Sequence, residues 1–357
     1  MTDTHDRIAE ELRADARLDR AVKARTRSLT AQVASQEGEL QELRTMVNFY
    51  GSARQEPINV PTWQVKPRKS RAHSGLVVAQ VTDWHLDEVV KPEEVLDLNA
   101  YDRKIAEKRI KRWVEKVITL PREYMQGINL EGLVIPATGD LFTGDIHAEL
   151  KESNEAKLLA SVLHWMEPII AALEELEREW RNVALHAVVG NHGRLSVRPV
   201  FKGRVHDNVE WLFWSVVRDR LKDRGSKVVV NVSASMDLNV PLYGRNHLLT
   251  HGDQFKGGSG ISGAYAPLSL GSHRKDKRQR VAGMPMYTMV IGHLHQLINI
   301  PGVIMGGTMK GIDEFAFGIN AAPDPNGAGQ AMWVTTPERG QVIWMPIYLT
   351  DRKEEGW

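Results

Sequence analysis

Five short clusters bring together side chains able to bind metal ions or move protons: Asp83-Trp84-His85, Gly139-Asp140, Gly190-Asn191-His192, His251-Gly252-Asp253 and Gly292-His293-Leu294-His295. An aspartate and a histidine two positions apart on a turn can both face one ion. Glycine ahead of Asp140 and Asn191 allows a sharp backbone turn and a close approach. The donors are carboxylate oxygens, imidazole nitrogens and an amide oxygen, with no sulfur because the chain has no cysteine. Such a hard-to-borderline set suits manganese, iron or zinc rather than copper(I) or an iron–sulfur cluster. The lack of cysteine also excludes disulfide frameworks, thiolate zinc sites and cysteine nucleophiles. A single Asp-x-His or Gly-Asn-His is commonly an ordinary turn. Five clusters in succession, each behind an apolar run, read as a site.

Those apolar runs have strand length and fall at 76–81, 132–137, 183–189, 248–250 and 287–291, most of them rich in valine and isoleucine. Between them, residues 102–118 and 149–180 carry helical periodicity, and the second segment is expected to kink at Pro168. Residues 331–349 read as two strands joined at 337–340, a hairpin closing the fold. Alternation of this kind indicates a layered α/β domain with helices packed on a sheet. Ligands in open α/β sheets gather at the carboxyl ends of strands, so the five clusters are expected to converge in one crevice.

The rest of the chain divides by composition. Residues 1–50 lack proline and place apolar residues on a heptad. One seam position holds Leu12, Asp19, Thr26, Val33, Leu40 and Val47; the other holds Ile8, Asp15, Val22, Leu29, Gln36 and Leu43. A coiled coil in the second half and a single amphipathic helix are equally good readings, and the first makes a homo-oligomer. Residues 51–75, with Pro57, Pro61, Pro67 and a basic stretch from Lys66 to Arg71, are expected to form an extended tether. Residues 351–357 read as a polar tail. A net charge of +1 gives no global pull toward nucleic acid or an anionic membrane. The polar start of the chain has no signal-peptide core, and no run approaches a membrane span. A cytoplasmic protein without a membrane partner is expected.

The succession Asp83-x-His85, Gly139-Asp140, Gly190-Asn191-His192, His251 and Gly292-His293-x-His295 resembles the calcineurin-like metallophosphoesterase superfamily over residues 76–350. Gly139-Asp140-Leu141-Phe142 is similar to its DNA-repair exonuclease branch. The glycine-rich segments at 251–258 and 307–311 look like phage-encoded members, which would place the protein in a host cytoplasm. The resemblance implies a four-layer αββα sandwich and two divalent ions, manganese first with iron or zinc as alternatives. It implies that Asp83, His85 and His295 hold one ion, that Asn191, His251 and His293 hold the other, and that Asp140 bridges them. Two ions about 3.5–4 Å apart activate water and clamp the phosphate oxygens during in-line attack. His192 would stand beside the ions and protonate the leaving oxygen. Two departures matter: Gly193 stands where many members have an acidic residue, and Thr143 stands where the exonuclease branch often has aspartate. Asp145 is therefore expected to orient His192, with His206-Asp207 as the alternative.

The substrate signals lie in the remaining cations and insertions. The basic stretch 273–280, containing Arg274 and Lys275, sits between two ligand clusters and would attract a polyanion; outward-facing solvated surface is the other reading. Arg194, Lys256 and Lys310 are further candidates for phosphate contacts. The insertion 87–130 reads as a lid over the site or as a helix covering the sheet. Trp84 could stack a nucleobase or pack beneath the site. The leading function is a two-metal phosphoesterase cleaving a phosphodiester, as a nuclease or nucleotide phosphodiesterase in DNA processing. Alternatives are a phosphomonoesterase acting on protein or small molecules, and a non-catalytic scaffold. Deleting residues 1–50 is expected to spare hydrolysis of a small ester and to lower the subunit count. An unchanged count by light scattering would refute the coiled coil.

Overall fold

The computed structural model describes residues 22–34, 37–38, 40–41, 44, 57–67, 73–196, 198–255, 265–321 and 323–357. The chain divides into two units, 1–53 and 54–357. In the first, residues 22–34 form an α-helix on which Val22, Leu29 and Val33 present apolar surface outward. The seam residues Ile8, Leu12, Asp15, Asp19, Gln36, Leu43 and Val47 lie outside the described residues, as do most of the linker cations.

The second unit is built on two facing sheets. In the first sheet, β1 (His73–Ala79), β2 (Ile128–Ala137), β3 (Val183–Ala187) and β4 (Val229–Val232) run parallel, and β11 (Met332–Thr336) and β12 (Gly340–Trp344) extend it antiparallel beyond β1. The β11–β12 pair is the closing hairpin read from the sequence. In the second sheet the order is β5 (Asp237–Leu242), β6 (Arg245–Thr250), β7 (Thr288–Ile291), β9 (Val303–Met305) and β8 (Ile298–Ile300), with β6, β7 and β9 parallel. A two-stranded ribbon joins β10 (Gly329–Gln330) to β13 (Ile347–Tyr348).

Leu76, Val78 and Val134 of the first sheet pack with Leu249, Val290 and Ile304 of the second, forming the core between them. On the opposite pleat Val77, Ala79, Leu133 and Ile135 are equally buried, as a sheet covered on both faces requires. Helices α1 (Arg103–Tyr124), α2 (Leu158–Glu179) and α3 (Val209–Asp223) supply that cover, burying Trp113, Trp165 and Phe213. On the far side α4 (Tyr265–Val281) seats Leu268 on Met289, Ile291 and Met305. The result is the four-layer αββα sandwich. Among the described residues, no helix is long and apolar enough to cross a membrane.

Several local expectations need correcting. The insertion 87–130 contains α1, capped by Asp102 and packed beside α2, while Leu98 and Asn99 ahead of it line a cavity together with His293 and His295. The helix expected over 149–180 is interrupted upstream of Pro168. Residues Ala148–Ser153 form one short helix, and α2 then runs from Leu158 through Pro168. At the break, the Asn154 amide donates to the Gly144 carbonyl and the Glu155 N–H donates to the Asp87 carbonyl. These bonds satisfy the chain locally and end the first helix. The tether contains a helical turn, Thr62–Val65, with Pro61 in extended backbone just before it. Its Gln64 is fully buried and donates to the Pro241 carbonyl, docking the segment on the sandwich. The C-terminal tail is equally fixed: Glu355 is buried and paired with Arg109 of α1 at 2.9 Å.

Two core histidines are held neutral. His186 Nε2 donates to Gln64 Oε1 and its Nδ1 accepts from Asn231, and burial pushes its pKa from 6.5 down to about 3. Burial likewise pushes His247 down to about 4. The unfolded chain binds both protons near the ordinary value, whereas the folded chain binds them only lower. The stability these groups contribute is therefore complete above pH 6.5 and declines as pH falls toward their folded values. Urea midpoints measured at pH 7.5 and 5.0 are expected to drop for the parent and to drop less for a His186→Gln/His247→Gln variant. Equal drops would rule out these two residues as the source.

Candidate metal centre

All five clusters leave strands at their carboxyl ends and meet in one crevice. Asp83 and His85 follow β1, Asp140 follows β2, Asn191 and His192 follow β3, His251 follows β6, and His293 and His295 follow β7. Three sets of potential ligand atoms each lie within 4.8 Å of one another: Asp83, His85 and His295; His85, Asp140 and His192; and Asp140, His251 and His293. The sets overlap at His85 and Asp140, so the cluster is continuous. Asn191 joins it through Oδ1, 3.0 Å from His251 Nε2.

Asp83, His85, Asp140, His293 and His295 all adopt left-handed backbone, with φ between 47° and 72°. Non-glycine residues rarely do so, and each costs about 1–3 kcal/mol unless its surroundings hold it. Here the loops hold one another. The Asp83 carboxylate accepts the His293 N–H at 2.9 Å and the Thr82 hydroxyl at 2.6 Å. Asp140 Oδ1 accepts the His192 N–H at 2.8 Å. Gly139 and Gly190 meet so closely that a Cβ on Gly190 would lie 2.1 Å from Asp140 Oδ1.

Whether cations fit can be read from His251. Its Nδ1–H donates to the Thr138 carbonyl at 2.8 Å, leaving Nε2 to face Asp140 Oδ2 at 2.9 Å and Asn191 Oδ1 at 3.0 Å. A bare nitrogen lone pair against two acceptor oxygens is repulsive unless positive charge sits between them. The same tension raises the His251 pKa to about 10: burial opposes the charge, but Asp140 outweighs it. At the other end His85 Nε2 and His295 Nε2 approach to 3.1 Å, and His295 Nε2 lies 3.3 Å from Asp83 Oδ1. Metal–donor bonds of about 2.0–2.2 Å put neighbouring donors roughly 3.0–3.5 Å apart. The donor set therefore fits divalent cations in both chemistry and spacing. Burial opposes ionisation of Asp83 and Asp140, yet the adjacent histidines hold both carboxyls below the usual range.

His192 borders the cluster, its Nε2 4.0 Å from Asp140 Oδ2. Its Nδ1–H donates to the Thr143 carbonyl at 2.6 Å. That corrects the expectation for Asp145: the backbone acceptor two residues earlier already occupies the nitrogen an orienting carboxylate would take. Lys310 is also reassigned. It is buried, pairs with Glu88 at 2.7 Å and with Asp313, and is held firmly protonated by those two carboxylates once its burial is overcome. Glu88 Oε2 lies 3.4 Å from His85 Nδ1, and Lys310, held by the two carboxylates, is not available to a substrate phosphate. Lys275 points inward from α4 to Asp237 at 2.5 Å and to Thr250, so it too is withdrawn. Arg274 remains exposed on α4. Arg194 lies beside the cluster, donating to the Asn191 carbonyl at 3.0 Å. Lys256 lies outside the described residues. Trp84 is buried against Trp113, out of reach of a nucleobase.

Sequence reasoning missed Glu210, in the first turn of α3. It is fully buried, and its two oxygens accept the N–H groups of Leu141 at 2.7 Å and Gly190 at 2.9 Å. One carboxylate thus ties the Asp140 loop to the Asn191 loop. A Cβ on Gly193 would lie 2.4 Å from Asn208 Oδ1 and 3.0 Å from Glu210 Cγ. Glu210 and its neighbour fill the room that an acidic side chain after His192 would need. Asn208 as a helix cap is the one sequence signal nearby, and it says nothing about two remote loops. The larger groove of about 720 Å³ between α1 and α2 is lined by no member of the cluster.

No family profile matches the sequence, and no curated protein matches it. Two solved structures are loosely similar. The Thermus thermophilus sulfate thiohydrolase SoxB, solved with glycerol, has a TM-score of 0.30 and 8% identity over 80% of this chain. This chain covers only 58% of that one. A dimetal phosphatase from Danio rerio has a TM-score of 0.29 and 10% identity, over 77% of this chain and 99% of that one. The chemistry of the crevice rests on its own residues.

Glu210→Gln puts an amide NH₂ against one of the two backbone N–H groups. It is expected to weaken manganese binding by about 10–100-fold, the usual effect of losing a support behind the ligands. Calorimetric titration showing parental affinity would remove Glu210 from this role.

Proposed function

We propose that this chain is a metal-dependent phosphoesterase that hydrolyses a phosphodiester, with nucleotides or nucleic acid as the substrate class. The observation that carries the reading is the continuous cluster, in which Asp140 shares one ligand set with His85 and another with His251 and His293. In this reading Asp83, His85 and His295 hold one divalent ion, Asn191, His251 and His293 hold a second, and Asp140 reaches both. Manganese, iron and zinc all suit the oxygen and nitrogen donors. Bound there, the pair would supply an ionised water near neutral pH and a positive clamp on the phosphate oxygens.

The residues around the ions have separate tasks. Thr138 and Thr143 carbonyls fix which ring nitrogen of His251 and His192 carries hydrogen. His192 Nε2 faces the cluster; with Nδ1–H held by the Thr143 carbonyl, Nε2 would have to take up a second proton, against the burial that lowers its affinity for one, before passing it to the departing oxygen. Arg194 stands on the Asn191 side, where its guanidinium can meet an approaching phosphate. Arg274 and Lys277, exposed on α4, support a polymeric substrate. With Lys275 and Lys310 withdrawn, a phosphomonoesterase acting on a small substrate is the second reading.

The test uses protein stripped of metal and reloaded with manganese. Substrates are bis-p-nitrophenyl phosphate, p-nitrophenyl phosphate, and single- and double-stranded DNA. Cleavage of the diester is expected, with Asp140→Ala inactive. His192→Ala is expected to lower kcat by about 10²–10⁴-fold while keeping its metal. DNA cleavage that falls steeply with salt would favour the nuclease. Monoester cleavage alone would favour the second reading. Inactivity on every ester with manganese bound would sink the phosphoesterase proposal.

A further inference from the structure

A cavity of about 230 Å³ opens beside His293 and His295. Its walls are Leu98, Leu294, Ile312, Phe315 and Ile319, with Asn99 and Thr308 deeper in. Phe315 is 69% exposed, Ile319 62% and Leu98 47%. Phe315 belongs to the short helix Glu314–Gly318, capped by the Asp313 side chain, and Ile319 follows it. The helix thus contributes apolar side chains to a cavity that two of the proposed ligands, His293 and His295, also line. Contiguous exposed apolar surface of this kind marks a binding site more often than an accident of folding.

The charge around the cavity selects what enters. Among the described residues lining it there is no lysine or arginine, and Asp313 and Asp324 are its charged groups. Asp313 shares the Lys310 cation with Glu88, and Asp324 adds a further carboxylate to the lining. A chain of phosphates would gain nothing along such a wall. An uncharged flat ring would bury its face against Phe315 and Ile319, leaving its phosphate toward His293 and His295.

We infer that this cavity binds the organic part of the substrate ester and that it takes an aromatic group, either a simple aryl ring or a nucleobase. The inference rests on the phosphoesterase reading, since the cavity matters only if a phosphate sits on the neighbouring cluster. It adds selectivity at residues that touch no proposed ligand directly. The substrate's phosphate is recognised by the cluster, and its identity is read by Leu98, Ile312, Phe315 and Ile319.

Phosphonates, which are not hydrolysed, test the inference by binding alone. Phenylphosphonate and methylphosphonate are titrated calorimetrically into manganese-loaded parent, Phe315→Ser and Ile319→Ser proteins. The replaced side chains are largely exposed, so both variants are expected to fold. The parent is expected to bind the phenyl compound about tenfold tighter, as burial of much of a ring provides, and the variants are expected to lose that preference. The phosphonate analogue of adenosine 5′-monophosphate separates the two sources. Tighter binding than the phenyl compound assigns a nucleobase, and weaker binding assigns a simple aryl group. Equal affinity of the parent for phenyl and methyl compounds, or a preference that survives both substitutions, overturns the cavity's role and leaves the phosphoesterase reading intact. Failure of every phosphonate to bind, with manganese verified as bound, counts against both.

Discussion

Holding many lone pairs in one small buried volume is the constraint on which the rest of this molecule depends. Two carboxylates, an amide oxygen and several imidazole nitrogens approach to about 3 Å in a crevice whose floor is buried and whose rim, at Asn191, His192, His293 and His295, is partly open. Such groups repel unless positive charge lies among them, and burial makes the repulsion stronger. No local chain conformation would gather them spontaneously. The fold has to press them together from five directions, and the sandwich does so by aiming the carboxyl ends of strands from both sheets at the same place.

The pressure is met by a lattice of neutral and ionic contacts around the cluster. Backbone carbonyls of Thr138 and Thr143 accept from imidazole Nδ1–H groups and turn the opposite nitrogens inward. Glu210 closes the Asp140 and Asn191 loops on each other through two backbone N–H groups. Lys310, Glu88 and Asp313 form a buried chain of charges behind His85. Each contact offsets part of the strain in the left-handed ligand residues, so the loops form as a set. Buried charges that would destabilise the fold singly are satisfied by a partner. The outcome is a cluster held in place by residues outside the candidate ligand set.

Much of the site is legible in the amino-acid sequence. The apolar runs ahead of Asp83, Asp140, Asn191, His251 and His293 have strand length, and the clusters behind them have ligand chemistry. The charged side chains are harder to read. Lys310 and Lys275 look like phosphate contacts from their place near the ligand clusters, yet both turn inward to carboxylates, Lys310 to Glu88 and Asp313 and Lys275 to Asp237. Asp145 looks like the partner of His192 because Thr143 stands where the resemblance expects an aspartate and Asp145 lies two residues beyond, whereas His192 Nδ1 meets the Thr143 carbonyl. Glu210 carries no signal, because its role exists only where two loops remote from it in sequence come within hydrogen-bond distance.

The sequence by itself determined part of the inventory: the strands that carry the ligand clusters, two long helical segments, the closing hairpin, the donor types, the lack of sulfur and the glycines that allow tight approach. These follow from periodicity and residue chemistry, which are local properties of the chain. Only the tertiary structure decided which cations remain available, which ring nitrogen each histidine presents and which carboxylate braces the ligand loops. It also decided that an apolar wall stands next to His293 and His295. Those outcomes depend on contacts between segments as much as 200 residues apart or more, such as Lys310 with Glu88. Distances of a few ångströms across such separations are set by how sheets and helices pack, a property of the whole chain.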